Sequence, residues 1–186
     1  MSNDDKLLGF EDLPEKHIGY PITIKKFTIF SLLSFGLFPT YWAYRNFKSL
    51  YGPGTGKTVG AVVFALFLPV SLFEMMKRYE QIGNKLQTTV AFNKFGLAWV
   101  YFLGNLTAKA CDRIEAVPFG VDLLIFTLSI LPLIAIQKKI NALNSQLRPD
   151  LPFAPRLSIL SWILVGIGII ATALAVLGAI LGPVDK

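Results

Sequence analysis

Residues 157–181 read LSILSWILVGIGIIATALAVLGAIL, and these 25 positions carry no charge. At roughly 1.5 Å per residue, a helix of this stretch is about 37 Å long. A bilayer's hydrocarbon core is about 30 Å thick, so such a helix crosses it with some tilt. Working outward, residues 117–136 hold one acid, Asp122, and residues 27–44 hold no charge. Both read as further spans. Residues 59–76 and 93–108 are weaker. Glu74 interrupts the first, and Lys94 and Lys109 bracket only 14 uncharged residues in the second. That third segment spans if its lysines snorkel and otherwise lies in the interface. The expected fold is all-α, an integral membrane helical bundle of four to five transmembrane helices. It forms one domain over 27–183, behind a polar N-terminal tail at 1–26.

Composition agrees. The chain is 53% hydrophobic and 16% charged, where a soluble domain carries about 25% charged residues. The net charge of +6 does not point to nucleic acid, because the basic residues sit in short groups beside apolar runs, as at a cytoplasmic membrane face. Met1 to Lys6 is polar and acidic, so no removable signal peptide is expected. Cys111 is the one cysteine and His17 the one histidine. An internal disulfide is thereby excluded, and metal and histidine-based catalytic sites are not expected. With a cytoplasmic N-terminus and five crossings, twelve basic residues fall inside and six outside, in line with the positive-inside rule. Four crossings plus a re-entrant segment stay open.

Two units look alike. Leu68-Pro69 leads to Met75 through Leu86, and Leu131-Pro132 leads to Ile136 through Leu147, with Lys77-Arg78 over Lys138-Lys139. This resembles a duplicated hairpin, although apolar helices with basic ends share the same look without any duplication. Leu133, Ile136, Ile140, Leu143 and Leu147 are spaced 3-4-3-4, and Met75, Tyr79, Ile82 and Leu86 follow the same rhythm. Each helix is therefore expected to bend at its proline and continue into the cytosol with one apolar stripe. The two stripes can pack on one another or lie on the headgroups.

Gly52-Pro53-Gly54-Thr55-Gly56-Lys57-Thr58 imitates an ATPase phosphate loop, but Tyr51 stands where the first glycine belongs and no buried strand precedes it. Nucleotide binding is not expected, and no cofactor or metal is assigned. Asp122 is the possible functional polar site: an acid inside an apolar run is costly and often functional. Its place four residues after Pro118 equally fits an interfacial helix start. Gly168, Ala171, Ala175, Gly178 and Gly182 form a small-residue stripe at spacings of 3 or 4, a helix-packing face that serves within the chain or in self-association. Tyr41, Trp42, Tyr44, Trp99, Tyr101 and Trp162 suit anchoring at the membrane interface.

Residues 35–48, FGLFPTYWAYRNFK, resemble the opening signature of a family of uncharacterised small bacterial multi-pass inner-membrane proteins. Residues 131–141, LPLIAIQKKIN, with a proline-rich break and a last span after them, are similar to that family's second half. The resemblance implies a bacterial inner (cytoplasmic) membrane location and no activity. The partners expected are the lipid bilayer and, through the last helix, another membrane protein or a second copy. The function expected is a non-catalytic accessory or scaffold subunit, and the alternative is a small transporter or channel.

Overall fold

Serine, glycine and proline divide the apolar runs more finely than hydropathy alone does. In the computed structural model, residues 18–34, 36–52, 54–86, 88, 90–111, 119–147 and 158–181 are described. Their order is α1 (Ile24–Leu33), α2 (Leu37–Tyr51), α3 (Thr55–Leu66), α4 (Leu68–Lys85), α5 (Lys94–Cys111), α6 (Phe119–Leu147) and α7 (Ile159–Leu181). The described residues are all-α.

The run at 27–44 is a hairpin and not a single rod. α1 opens on Thr23, whose hydroxyl accepts the Lys26 amide, and closes at Ser34. Gly36 then takes φ +84°, a left-handed turn that glycine adopts without strain. Ser34 holds both sides of this bend. Its amide donates to the Phe30 carbonyl, and its hydroxyl accepts the Phe38 amide at 2.8 Å. The rings nest accordingly: Phe30 meets Phe38 at 5.5 Å, and Phe27 meets Trp42 at 5.4 Å. The chain thus returns beside itself. α1, with 10 residues, is only about 15 Å long, half of a hydrocarbon core.

The second run behaves similarly. α3 stops at Phe67, and Pro69 stands in the first turn of α4, where its missing N–H costs nothing. Continuing α3 through Pro69 would set the ring against a carbonyl one turn back. The Ser71 hydroxyl instead donates to the Phe64 carbonyl at 2.6 Å across the break. Pro132 has a different outcome, because α6 runs through it over 29 residues. The two units, expected to bend alike and continue, differ: the run divides into two helices at Pro69 and stays one helix through Pro132.

α5 and α6 pack closely where Gly104 faces Ser129. A Cβ at Gly104 would lie 2.7 Å from the Ser129 Cβ. α7 seats Gly168 on the α1–α2 bend, where a Cβ would lie 2.2 Å from the Leu33 carbonyl oxygen and 2.3 Å from the Ser34 Cα. Residues 124–147 are long and apolar enough to cross a bilayer by length and composition, while Gly56–Leu66 and Ile159–Ala171 are shorter apolar stretches.

Five alternating crossings would set Arg45 and Lys48 opposite Lys77 and Lys138. The geometry brings them together. Gly19 donates to Ser49, Tyr79 donates to Asn46 at 2.7 Å, and Arg78 lies 4.3 Å over the Tyr51 ring. Trp42 donates to Gln137. The two ends of the α1–α2 hairpin therefore share one end of the bundle with the tails of α4 and α6.

Candidate binding face at the polar end

Three amides on α6 hold the segment Ile18–Ile22, which is not helical. Asn144 forms a two-way pair with Ile18, accepting its N–H and donating to its carbonyl, both at 2.8 Å. Gln137 donates to the Tyr20 carbonyl at 3.1 Å and Asn141 to the Ile22 carbonyl at 2.9 Å. On the other flank, Asn46 of α2 accepts the Tyr20 amide and the Tyr79 hydroxyl. Gln137, Asn144 and Asn46 are buried. A buried polar group left unpaired costs about 1–3 kcal/mol, so these amides and the backbone they bind satisfy one another. The apolar stripes lie under the same clasp: Met75, Tyr79, Leu133, Ile136 and Ile140 are all fully buried. They enter one core, so they do not lie on headgroups.

A second clasp closes the connection into α5. Glu80 accepts the Phe92 amide at 2.8 Å and pairs with Lys94 at 2.5 Å. Lys139 donates to the Ala91 carbonyl and lies 5.1 Å over the Phe92 ring. Burial works against the Glu80 charge, but the Lys94 hydrogen bond, the Phe92 amide and the charges of Lys94 and Lys139 outweigh it. They hold the carboxyl below its usual range.

Arg45 has a different setting. Its guanidinium lies 4.8 Å over the Tyr20 ring and donates to the Tyr41 hydroxyl at 2.9 Å. That hydroxyl meets Ser158 at 2.8 Å, and Ser158 meets Ser161 at 3.1 Å. Among the described residues the ion pairs are Arg78–Glu74 and Lys94–Glu80, so Arg45 has no acid in contact. The Tyr20 hydroxyl is buried without a hydrogen-bond partner.

Charge gathers here. Lys25 and Lys26 open α1, Arg45 and Lys48 lie on α2, and Lys57 opens α3. Lys77, Arg78 and Lys85 follow on α4, Lys94 opens α5, and Lys138 and Lys139 lie on α6. Of the twelve described lysines and arginines, only Lys109 lies at the other end, near the close of α5.

The residues singled out in the sequence fare unevenly. Asp122 falls in the first turn of α6, and its side chain lies outside the described residues. Of the small stripe, Gly168 packs within the chain, whereas Ala171, grouped with it, is exposed. The side of Ala175 and Gly178, and all of Gly182, lie outside the described residues. Gly52 and Gly54 carry positive φ in a turn between helices α2 and α3, so no strand feeds the phosphate-loop imitation. Trp42, Tyr41 and Tyr101, expected as interface anchors, are buried and belong to the core, while Trp99 and Trp162 are exposed. Among the described residues, no three His, Cys, Asp or Glu gather as a metal site would require. No family model, curated protein or solved structure matches the chain.

Proposed function

We propose that the chain is a multi-pass protein of a bacterial inner membrane, acting as a non-catalytic accessory or scaffold subunit with its basic end in the cytoplasm. The observation that carries this reading is where the large apolar side chains face. On α7, Ile163, Ile167, Ile170, Leu174 and Leu177 are each at least half exposed. So are Phe95, Leu103 and Leu106 on α5, and Leu124, Leu128 and Leu131 on α6. Water does not tolerate an apolar surface this extensive, whereas lipid or a membrane partner covers it without cost.

In this reading α5, α6 and α7 cross the bilayer. Their 18, 29 and 23 residues give about 27, 43 and 34 Å. The α1–α2 and α3–α4 hairpins enter partway and return. Three crossings leave eleven of the twelve described cations on one side, a far stronger asymmetry than five crossings produce. The transporter alternative draws nothing from the interior amides, which are committed to holding backbone.

Copurification from native membranes in mild detergent tests the scaffold role, with Gly178→Ile and Gly182→Ile compared against the unaltered chain. Loss of a specific partner or of a self-assembled species supports it. Identical assemblies from both proteins remove the α7 face from the proposal.

A further inference from the structure

The paired cations at this end differ from Arg45 in one respect that has a chemical consequence. Arg78 is neutralised by Glu74 at 2.7 Å, and Lys94 by Glu80. Arg45 instead donates to the Tyr41 hydroxyl, which meets Ser158 and through it Ser161, and its guanidinium lies 4.8 Å over the Tyr20 ring. Tyr20 is only 3% exposed, and its hydroxyl is unpartnered. Burying such a donor without a partner is unfavourable, so the site is short of one acceptor.

We infer that Arg45, with the hydroxyls of Tyr20, Tyr41 and Ser158, forms a binding site for a phosphate group, supplied by the headgroup of an anionic phospholipid. Phosphate provides several acceptor oxygens and matches the guanidinium fork, which is a strong charge-assisted pairing. Lys48, one turn further along α2 and 5.7 Å from the Tyr44 ring, adds a second positive charge at the rim. Ser158 immediately precedes α7, whose first residues Ile159, Leu160 and Trp162 are all exposed. The cluster therefore sits at the border between the outward apolar face and the basic end, where the bilayer reading sets a lipid phosphate. The proposal depends on the bilayer reading only for the source of the phosphate.

The test uses the full chain in nanodiscs of phosphatidylcholine doped with phosphatidylglycerol, with retained lipid read by native mass spectrometry. Wild type should retain phosphatidylglycerol preferentially. Arg45→Gln should retain it about tenfold less, the loss expected for one charge-assisted contact. Lys77→Gln, which removes an exposed cation from the same end, should leave retention unchanged. Tyr20→Phe guards against a misfolded Arg45 variant. It should weaken retention while leaving melting in lipid-free detergent unchanged or raised, because it deletes an orphaned hydroxyl. A second arm adds inorganic phosphate to protein in neutral detergent. A melting rise that disappears in Arg45→Gln, without lipid discrimination, supports the site and assigns it to free phosphate even if the bilayer reading fails. Equal behaviour of wild type, Arg45→Gln and Tyr20→Phe in both arms overturns the proposal. So does an equal loss in Lys77→Gln, which would mark diffuse charge attraction.

Discussion

The outer surface of α7 and the clasped end around Ile18–Ile22 treat side chains in opposite ways. On α7, isoleucine and leucine face outward, and Ser161 and Gly168 face inward. At the clasped end, Met75, Leu133, Ile136 and Ile140 are inside, and Lys77, Lys85, Lys138 and Lys139 are outside. A single helix, α6, makes the change along its own length. Leu124, Leu128 and Leu131 are exposed before Pro132, and the apolar stripe is buried beyond it. Under the proposed function, this contrast reflects a change of surrounding solvent along the bundle. That change of solvent is the physical content of the functional proposal.

The comparison is most strongly challenged by placing a charge on the outward face. Ile170 is 62% exposed, so in water Ile170→Arg should change stability by no more than about 0.5 kcal/mol. In a bilayer the same charge near mid-depth costs about 2.5–3.5 kcal/mol. Insertion efficiency and melting in nanodiscs should show the larger penalty. Gly168 probes where the two regions lock together. Gly168→Ile drives a side chain into backbone at the α1–α2 bend and should cost about 2–3 kcal/mol by overpacking. Gly166→Ala, with nothing within 4 Å of its Cβ, should be neutral or slightly stabilising. Thermal melting of the pair in one detergent reads the contrast.

At the clasped end, Asn144→Ala strands the Ile18 N–H and carbonyl and should cost about 2 kcal/mol. Faster amide exchange across residues 18–22 would accompany the loss. The smallest effect is expected at the second clasp. Because the Glu80 pKa is lowered in the fold, its contribution is complete above the ordinary value of 4.5 and is lost as pH falls through the folded value. Protection of the Phe92 amide should decline in that acid window, and Glu80→Gln should flatten the decline.

Much of this architecture was legible in the residues. Lys94 and Lys109 mark α5 closely, the two apolar stripes are buried at their 3-4 spacing, and Pro69 and Pro132 stand where helix continuity is at issue. Hydropathy does not resolve the hairpin at 27–44, because it sums over Ser34 and Gly36. Their pairing in mid-run was the available signal. Gln137, Asn141 and Asn144 also stand at helical spacing, but they read as ordinary polar positions between leucines. Their partners lie more than a hundred residues away in sequence, and no local pattern announces such a contact. The setting of Arg45, with no acid in contact among the described residues, is likewise a product of packing, since Ser158 approaches it only once α7 is in place.

The most direct test of the change in solvent is side-selective labelling in sealed membrane vesicles. Starting from Cys111→Ser, single cysteines at Lys48, Lys85, Lys138 and Lys109 would be treated with a membrane-impermeant maleimide. Lys48→Cys, Lys85→Cys and Lys138→Cys should react from one side and Lys109→Cys from the other only. Labelling of Lys48→Cys together with Lys109→Cys, or recovery of the chain as a monodisperse species without lipid or detergent, would contradict the account.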